Sequence, residues 1–506
     1  MNCKVVLLNP PTAAPSSEIL LNLAYLSSTL KNAGHEVLVL DATAPHHFLT
    51  EDEIEQQILQ FQPNFIGVTL TINYIPQTYE FINRLKKLKI PIVAGGPHAN
   101  CLPEEVLSNG VDIVAIGEGE DTVLELADYF IGKKETKDVV GICFRNKDGT
   151  VHYTAKRPLI ENLDRIPFPD YDSFPIAYYT GSSNPESNPI FWSVFSSRGC
   201  PYNCIFCSSH NVFGRTYRAR SPQNVFQEIE FVTEKYGARI FAFQDDEAFI
   251  NKERIIEFCQ LVKKSRYPLK FSARLRIDNL NGQMLREMKS AYFRRLAFGI
   301  ESFTDETLEK INKKYTVETI HKGFKLLEKA GFAAIYFNNI IGFPWETPEH
   351  LKNNIKEISK IPKSITYFSS TATPIPYPGT KLYEQYHKEY GFTDWWLDPK
   401  RNSLLSNISA FFMHFLPDQI PLYIEDDFWN YSPQMKKAIT DFCWKNSSMY
   451  LRRCLFPHEY LFIFGFSKIS HMVWKFSPRL ERIFLYPAGW LVKRLAFVKK
   501  TSFINR

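Results

Sequence analysis

SSRGCPYNCIFCSSH, residues 196–210, emerges from an apolar, strand-like run at 191–196 and carries Cys200, Cys204 and Cys207 at the spacing CxxxCxxC. Gly199 and Pro201 mark the segment as a loop, on which three thiolates converge on one centre. A structural zinc site wants four ligands and favours paired CxxC knuckles, so a zinc reading has to recruit His210. An iron–sulfur cubane is closed by four cysteines, whereas three leave one iron open to a substrate group. Downstream, further strand candidates fall at 239–244, 270–274, 295–300, 335–341 and 366–373, separated by helical patterns. This alternation predicts a partial or complete β/α barrel over 191–375. Polar groups follow its strands: Asp245 and Asp246, then Glu301 and Ser302, then Gly342. That edge is where such barrels place their active sites, although an acidic residue there also serves as an ordinary helix cap.

Upstream, apolar runs at 4–8, 36–40, 64–70, 90–96 and 111–117 alternate with amphipathic stretches near 18–33, 51–60, 75–88, after Pro103, and 120–130. The pattern predicts an α/β fold, a Rossmann-like doubly wound parallel sheet over 1–138. Gly95, Gly96 and Pro97 end one strand and Gly117, Glu118 and Gly119 end the next, beside the expected crevice at the carboxyl edge. A hairpin turning at Asp148 and Gly149, with a Pro- and Ser-rich stretch after it, reads as a connector over 139–190. Residues 376–506 read as mostly helical.

The 506 residues suffice for two or three domains. Hydrophobic content of 44% and charged content of 23% are those of a globular protein rather than a disordered one. The nine cysteines show no disulfide framework, and the N-terminus shows no signal-peptide pattern, so a reducing, cytoplasmic setting is expected. The net charge of +6 is uneven: residues 451–506 hold eleven Lys and Arg against Glu459 and Glu481, which leaves the rest at −3. Twelve aromatics interleave with these basic residues. Two readings stay open for this end, a peripheral contact with a membrane surface and a helical cap on the barrel. No nucleic-acid-binding module is visible.

The cysteine loop resembles that of the radical S-adenosylmethionine (SAM) superfamily, whose CxxxCxφC pattern has an aromatic at φ, here Phe206. The resemblance continues through FAFQDDEAFINKERIIEFC (241–259), LAFGIESFTDETLEKINK (296–313), IIGFPWETPEH (340–350) and TPIPYPGTKLYE (373–384). It implies a [4Fe-4S] cluster on Cys200, Cys204 and Cys207 that splits SAM reductively into methionine and a 5'-deoxyadenosyl radical. It further implies that Phe206 and the Gly342 segment lie on the adenine side. Asp245 or Asp246 would accept from the methionyl ammonium, while Glu301 and Ser302 would reach the ribose or the amino group. Where the family usually continues GxES with Gly, this chain has Phe303.

The first domain resembles the cobalamin-binding domain that precedes the barrel in class B members, in NPPTAAPSSEILLNLAYLSSTLKNAGHEVLVLDA, GVTLTINY, VAGGPHANCLPEEVL and AIGEGEDTVLEL. The resemblance implies cobalamin at Gly95, Gly96, Pro97, His98, Gly117, Glu118 and Gly119. His98 suits a cobalt ligand or a backbone-bonding role. No DxHxxG is present, since Asp41 is followed by Ala42 and Thr43, so a lower-face histidine from that motif is not expected. The expected reaction is methyl transfer to an unactivated carbon of a small-molecule or lipid substrate, with flavodoxin or ferredoxin as electron donor. Radical cyclisation or oxidation and a non-catalytic cofactor sensor are the alternatives.

Overall fold

The computed structural model describes residues 2–11, 18–44, 47–179, 191–398 and 428–454. Apart from the backbone of 451–454, the basic aromatic end lies outside the described residues. Among the described residues no helix is long and apolar enough to cross a membrane.

The first sheet forms from the apolar runs. Strands β1 (Lys4–Asn9), β2 (Glu36–Asp41), β3 (Phe65–Thr69), β4 (Ile92–Gly95) and β5 (Ile113–Ala115) are parallel, in the order β2-β1-β3-β4-β5. Val5 and Leu7 pack with Leu23, Ala24 and Leu126 from two helices on one face. Val6 and Leu8 share the opposite cluster with Ile54, Ile58 and Ile82. Burial on both faces explains why these strands read as unbroken apolar runs. The order reverses at β1, flanked by β2 and β3, so the carboxyl ends open a crevice there.

The assignment of the 139–155 hairpin to a connector is corrected. Strands β6 (Ile142–Arg145) and β7 (Val151–Tyr153) continue the same sheet, β6 pairing antiparallel with β5. Strand β5 is short and would otherwise present an open edge, which the hairpin covers.

The second sheet follows the predicted barrel strands closely. β8 (Phe191–Val194), β11 (Ile240–Phe243), β12 (Lys270–Leu275), β13 (Phe293–Glu301), β14 (Ala334–Ile340) and β15 (Thr366–Ala372) are all parallel and ordered sequentially, as an open six-stranded partial barrel. Two short strands, β9 (Ser197–Arg198) and β10 (Arg218–Ala219), pair beside it around the cysteine loop. Of the expected helical C-terminal region, the described part includes the 22-residue helix Pro433–Cys454. That helix packs on β15 and on the helix Pro348–Ser359.

Ionic contacts dock the two sheets. Glu118, at the β5 exit, accepts from Arg198 (2.9 Å), Arg218 (2.7 Å) and the Ile160 backbone N–H (2.8 Å). Arg198 also binds Glu120 at 2.5 Å. Glu18 accepts from Ser193 and Gln244, each at 2.6 Å. These groups are largely withdrawn from water, where losing one partner of a buried pair is costly.

Candidate active site

Chain segments from three other parts of the barrel region hold the cysteine loop. Gly199 has φ +81°, and a Cβ there would collide with the carbonyl of Thr216, so the turn into the loop requires glycine. Ile205 donates its N–H to Ile311 O at 3.3 Å and accepts from Leu382 N–H at 2.9 Å. Asn312 Nδ2 donates to Asn203 O at 2.7 Å. The Arg276 guanidinium lies 3.6 Å from the Tyr202 ring centre.

So held, Cys200, Cys204 and Cys207 line one cavity of about 660 Å³ together with Tyr202, Phe206, Asp246, Glu247, Glu301 and Lys313. His210, the fourth ligand that a zinc reading has to recruit, does not line this cavity. No three metal-ligating side chains among the described residues close on a single-ion site. A cubane takes one cysteine per iron and asks instead for thiols spread around it. Burial pushes the Cys200 thiol up to about 11 and raises Cys204, where Lys313 and Arg276 oppose the shift. Binding to iron takes the thiolate form and releases these protons.

The carboxylates separate into two kinds. Asp246 lines the cavity, and burial, with the neighbouring Asp245 charge, pushes its carboxyl up to about 6 against the pull of Arg274. Asp245 is turned away: its oxygens accept from Ser196 N–H (2.6 Å), Ser197 N–H (2.9 Å) and Ser196 Oγ (2.5 Å), tying the β11 exit to the approach of the cysteine loop. Its placement among the SAM-binding residues is therefore corrected. Glu301 sits at φ +68°, where β13 slips register against β14. Its carboxylate folds back so that a Cβ on Gly299 would lie 2.5 Å from Oε1, and Lys313 Nζ is 3.6 Å away. The glycine of GIES is what admits this conformation.

Ser302 and Gly342 do not line the cavity. Ser302 is buried against Asn354. Gly342 N–H donates to Glu346 at 2.7 Å, and its carbonyl accepts from the Tyr431 hydroxyl, so the GxPxET segment closes on itself beneath the C-terminal helix. Phe303, the departure from the usual glycine, is buried against Phe324 and Phe337 on the outside of the barrel.

The second cavity, of about 760 Å³, opens at the carboxyl edge of the first sheet. Gly95, Gly96, Pro97, Gly117, Glu118 and Gly119 line it. A Cβ added to Gly95 or Gly117 meets nothing within 4 Å, so bare backbone faces the space. Gly96 differs: at φ +96° its Cβ would lie 2.9 Å from Leu70 O. Leu20, Leu23 and Leu26 give an apolar wall, with Asn9, Asn22 and Thr69 as scattered amides and hydroxyls. A broad, flat group with an amide-bearing rim, such as a corrin, fits this lining.

Two assignments change here. Glu118 has both oxygens engaged by Arg198, Arg218 and Ile160 N–H, so its side chain joins the domains rather than meeting a ligand. His98 is absent from the wall: it is buried with Nε2 3.1 Å from both Tyr79 OH and Glu105 Oε1. The described wall contains no histidine.

The far side of this crevice is the barrel itself, through Ser193, Phe195, Arg198, Phe213 and Gln244. Gln244 lines the crevice and Asp246 the cysteine cavity, two residues apart at the β11 exit.

Residues 194–358 match the Radical SAM superfamily, and residues 14–127 match the B12 binding domain. An uncharacterized methyltransferase from Pyrococcus horikoshii is 34% identical over 391 residues, covering 75% of this chain and 82% of the relative. The chain belongs to the cobalamin-dependent, class B radical SAM family. The anaerobic magnesium-protoporphyrin IX monomethyl ester cyclase of Rubrivivax gelatinosus is 28% identical over 370 residues, 70% of this chain and 65% of that one. The structure of OxsB, a cobalamin-dependent SAM radical enzyme with aqua-cobalamin and SAM bound, has a TM-score of 0.67 over 98% of this chain and 76% of its own, at 16% identity, and shares the fold.

A class B radical SAM enzyme takes a [4Fe-4S] cluster, SAM and cobalamin, and the two cavities suit these groups in kind. Sequence reasoning missed Glu247, Lys313, Arg274, Arg276 and Arg295 in the cysteine cavity. Glu247 is the third acid of QDDE, and Lys313 ends a stretch already singled out. Arg274 and Arg276 alternate with apolar residues in SARLR, a period-2 signal for a strand whose inner face is polar.

Proposed function

We propose that this radical SAM enzyme transfers a methyl group from SAM to an unactivated carbon of a small-molecule substrate, lipid-like or secondary-metabolite in character. The observation that carries the reading is the adjacency of the two cavities: the chain leaving β11 passes from the crevice at Gln244 to the cysteine cavity at Asp246. A substrate at that junction faces both. When bound, the cluster supplies the electron that cleaves SAM, and cobalamin supplies a methyl carrier.

The chain's own residues do the positioning. Glu301, held in a conformation that costs backbone strain, presents a carboxylate paired with Lys313, fit to orient the polar end of SAM. Asp246 offers a second acceptor, from the exit of β11 at the same carboxyl edge of the sheet. Phe206 gives the cavity an apolar edge near Phe343, with ring centres 6.4 Å apart. The Glu118–Arg198–Arg218 contact keeps the crevice seated on the barrel. A flavodoxin or ferredoxin would deliver the electron.

The test is product analysis on anaerobically purified protein with cobalamin, SAM and a reductant. Methyl transfer yields S-adenosylhomocysteine and 5'-deoxyadenosine together, with a product heavier by one methylene unit. Radical cyclisation or oxidation, favoured by the relatedness to the Rubrivivax cyclase, yields 5'-deoxyadenosine without S-adenosylhomocysteine. That outcome overturns the methyl-transfer reading.

A further inference from the structure

Two glycine turns that line the crevice, Gly95–Gly96 and Gly117, leave the neighbouring strands β4 and β5, and the backbone ties each of them away from the other. The ladder between β4 and β5 ends at Ala94 and Val114. Beyond it β5 holds to β6: Ala115 pairs with Ile142, and Ile116 N–H donates to Gly141 O at 2.8 Å. The β4 exit is tied to β3 instead, since Leu70 N–H donates to Gly95 O at 2.8 Å and His98 N–H to Leu70 O at 3.1 Å. Gly96 and Gly117, at φ +96° and +89°, let the chain turn at both places.

One side chain bridges the two turns. Asn100, in the short helix Pro97–Cys101, donates from Nδ2 to Gly96 O at 2.9 Å and accepts the Gly117 N–H on Oδ1 at 2.6 Å. A backbone N–H only donates and a carbonyl only accepts, so these partners fix which way the carboxamide faces. Among the described residues no other hydrogen bond joins residues 95–99 to residues 115–119. Asn100 itself does not line the crevice. Two other asparagines of this domain make the first of its bonds: Asn83 donates to Tyr79 O at 3.0 Å and Asn109 to Glu105 O at 2.8 Å, each four residues back. Neither uses its Oδ1 in a hydrogen bond among the described residues. The bond to the carbonyl four residues back is an ordinary helix contact, and the bond to Gly117 is what Asn100 adds.

We propose that Asn100 is a positioning residue for cobalamin: by tying the Gly96 turn to the Gly117 turn it fixes the spacing of two bare-backbone walls of the crevice before the cofactor arrives. A crevice already held at its bound width escapes the ordering cost that two independent turns would add to binding. The role does not depend on which reaction the bound cobalamin serves, so it stands or falls apart from the methyl-transfer reading. It is also separate from the docking of the two sheets, because Glu118, the residue after Gly117, has its own partners in Arg198 and Arg218.

The test is equilibrium titration of the full-length, cluster-reconstituted protein with hydroxocobalamin, the free cofactor being read by its absorbance after ultrafiltration. Asn100→Leu, close in shape but without either bond, is expected to weaken binding at least about tenfold. Asn100→Asp keeps an acceptor for the Gly117 N–H and loses the donor to Gly96, so its affinity should fall between. Asn109→Leu removes an ordinary helix bond alone and should bind as the unaltered protein does. Iron–sulfur absorbance should be the same in all four proteins. Should the Leu variant fail to fold, the Asp variant carries the test, with a several-fold loss against the unaltered protein expected. Unchanged affinity in either Asn100 variant overturns the proposal. So does an equal loss in Asn109→Leu, which would make the effect one of helix ends, or an Asp variant as weak as the Leu variant, which would deny the Gly117 bond its part. Loss of the cluster together with cobalamin would assign Asn100 to folding in general, and overturns the proposal as well.

Discussion

The cysteine cavity and the crevice are neighbours built on opposite principles. The first is made of side chains that project from loop and strand ends: three thiols, Asp246, Glu247, Glu301, Lys313 and the arginines below them. The second is made largely by leaving side chains out, with Gly95 and Gly117 baring backbone and leucines closing one wall. A charged site is damaged by deleting atoms and an empty one by adding them. Only the crevice draws on both domains, because its far wall is the barrel's Ser193, Phe195, Arg198, Phe213 and Gln244.

The largest effect that sharpens this contrast comes from Cys204→Ala. Iron–sulfur absorbance and reductive SAM cleavage should disappear, while cobalamin, measured by its own absorbance after desalting, should still be retained. Simultaneous loss of both would break the contrast. Next comes Glu118→Gln, which weakens the partner of Arg198 and Arg218. Breaking such a buried pair costs about 3–5 kcal/mol, so a loss of that order in denaturant stability, with both cofactors released more readily, is expected. An unchanged unfolding midpoint would show that the docking contact carries little.

Gly95→Leu acts on the crevice alone. Nothing lies within 4 Å of a Cβ at Gly95, so the melting temperature should hold while cobalamin affinity drops by about tenfold or more through occupied space. Retained affinity would place cobalamin elsewhere. The smallest effect is a pH dependence. Asp246 is raised to about 6 by burial and by Asp245, so its carboxylate is present above that pH and lost as pH falls through it. SAM affinity should decline several-fold between about pH 7 and pH 5, and Asp246→Asn should flatten that dependence. The same decline in the variant would assign the titration to another group.

Most strands and the cysteine loop were legible because apolar runs buried on both faces and a close triad of thiols are local signals. The hairpin was misplaced because β7 is a three-residue strand whose membership of the sheet depends on pairing between β5 and β6, about 30 residues apart in the chain. Asp245 and Asp246 look alike in sequence, and only the fold shows one bound to Ser196 and Ser197 and the other facing the cavity. Glu118 reads as an acid at a helix start, yet its partners lie 80 and 100 residues away. Arg274 and Arg295 carry no motif. What places them in the cysteine cavity is the pairing of β12 with β13, a property of space rather than of spacing.

The central claim is that cluster and cobalamin face one junction, since Gln244 and Asp246 are two residues apart and so at most about 7 Å along the chain. Pulsed electron paramagnetic resonance on protein loaded with cob(II)alamin and a reduced cluster tests it most directly. Dipolar coupling between the two spins, absent in Cys204→Ala, is the predicted result. Spectra that merely add, with both cofactors present at full occupancy, would contradict it.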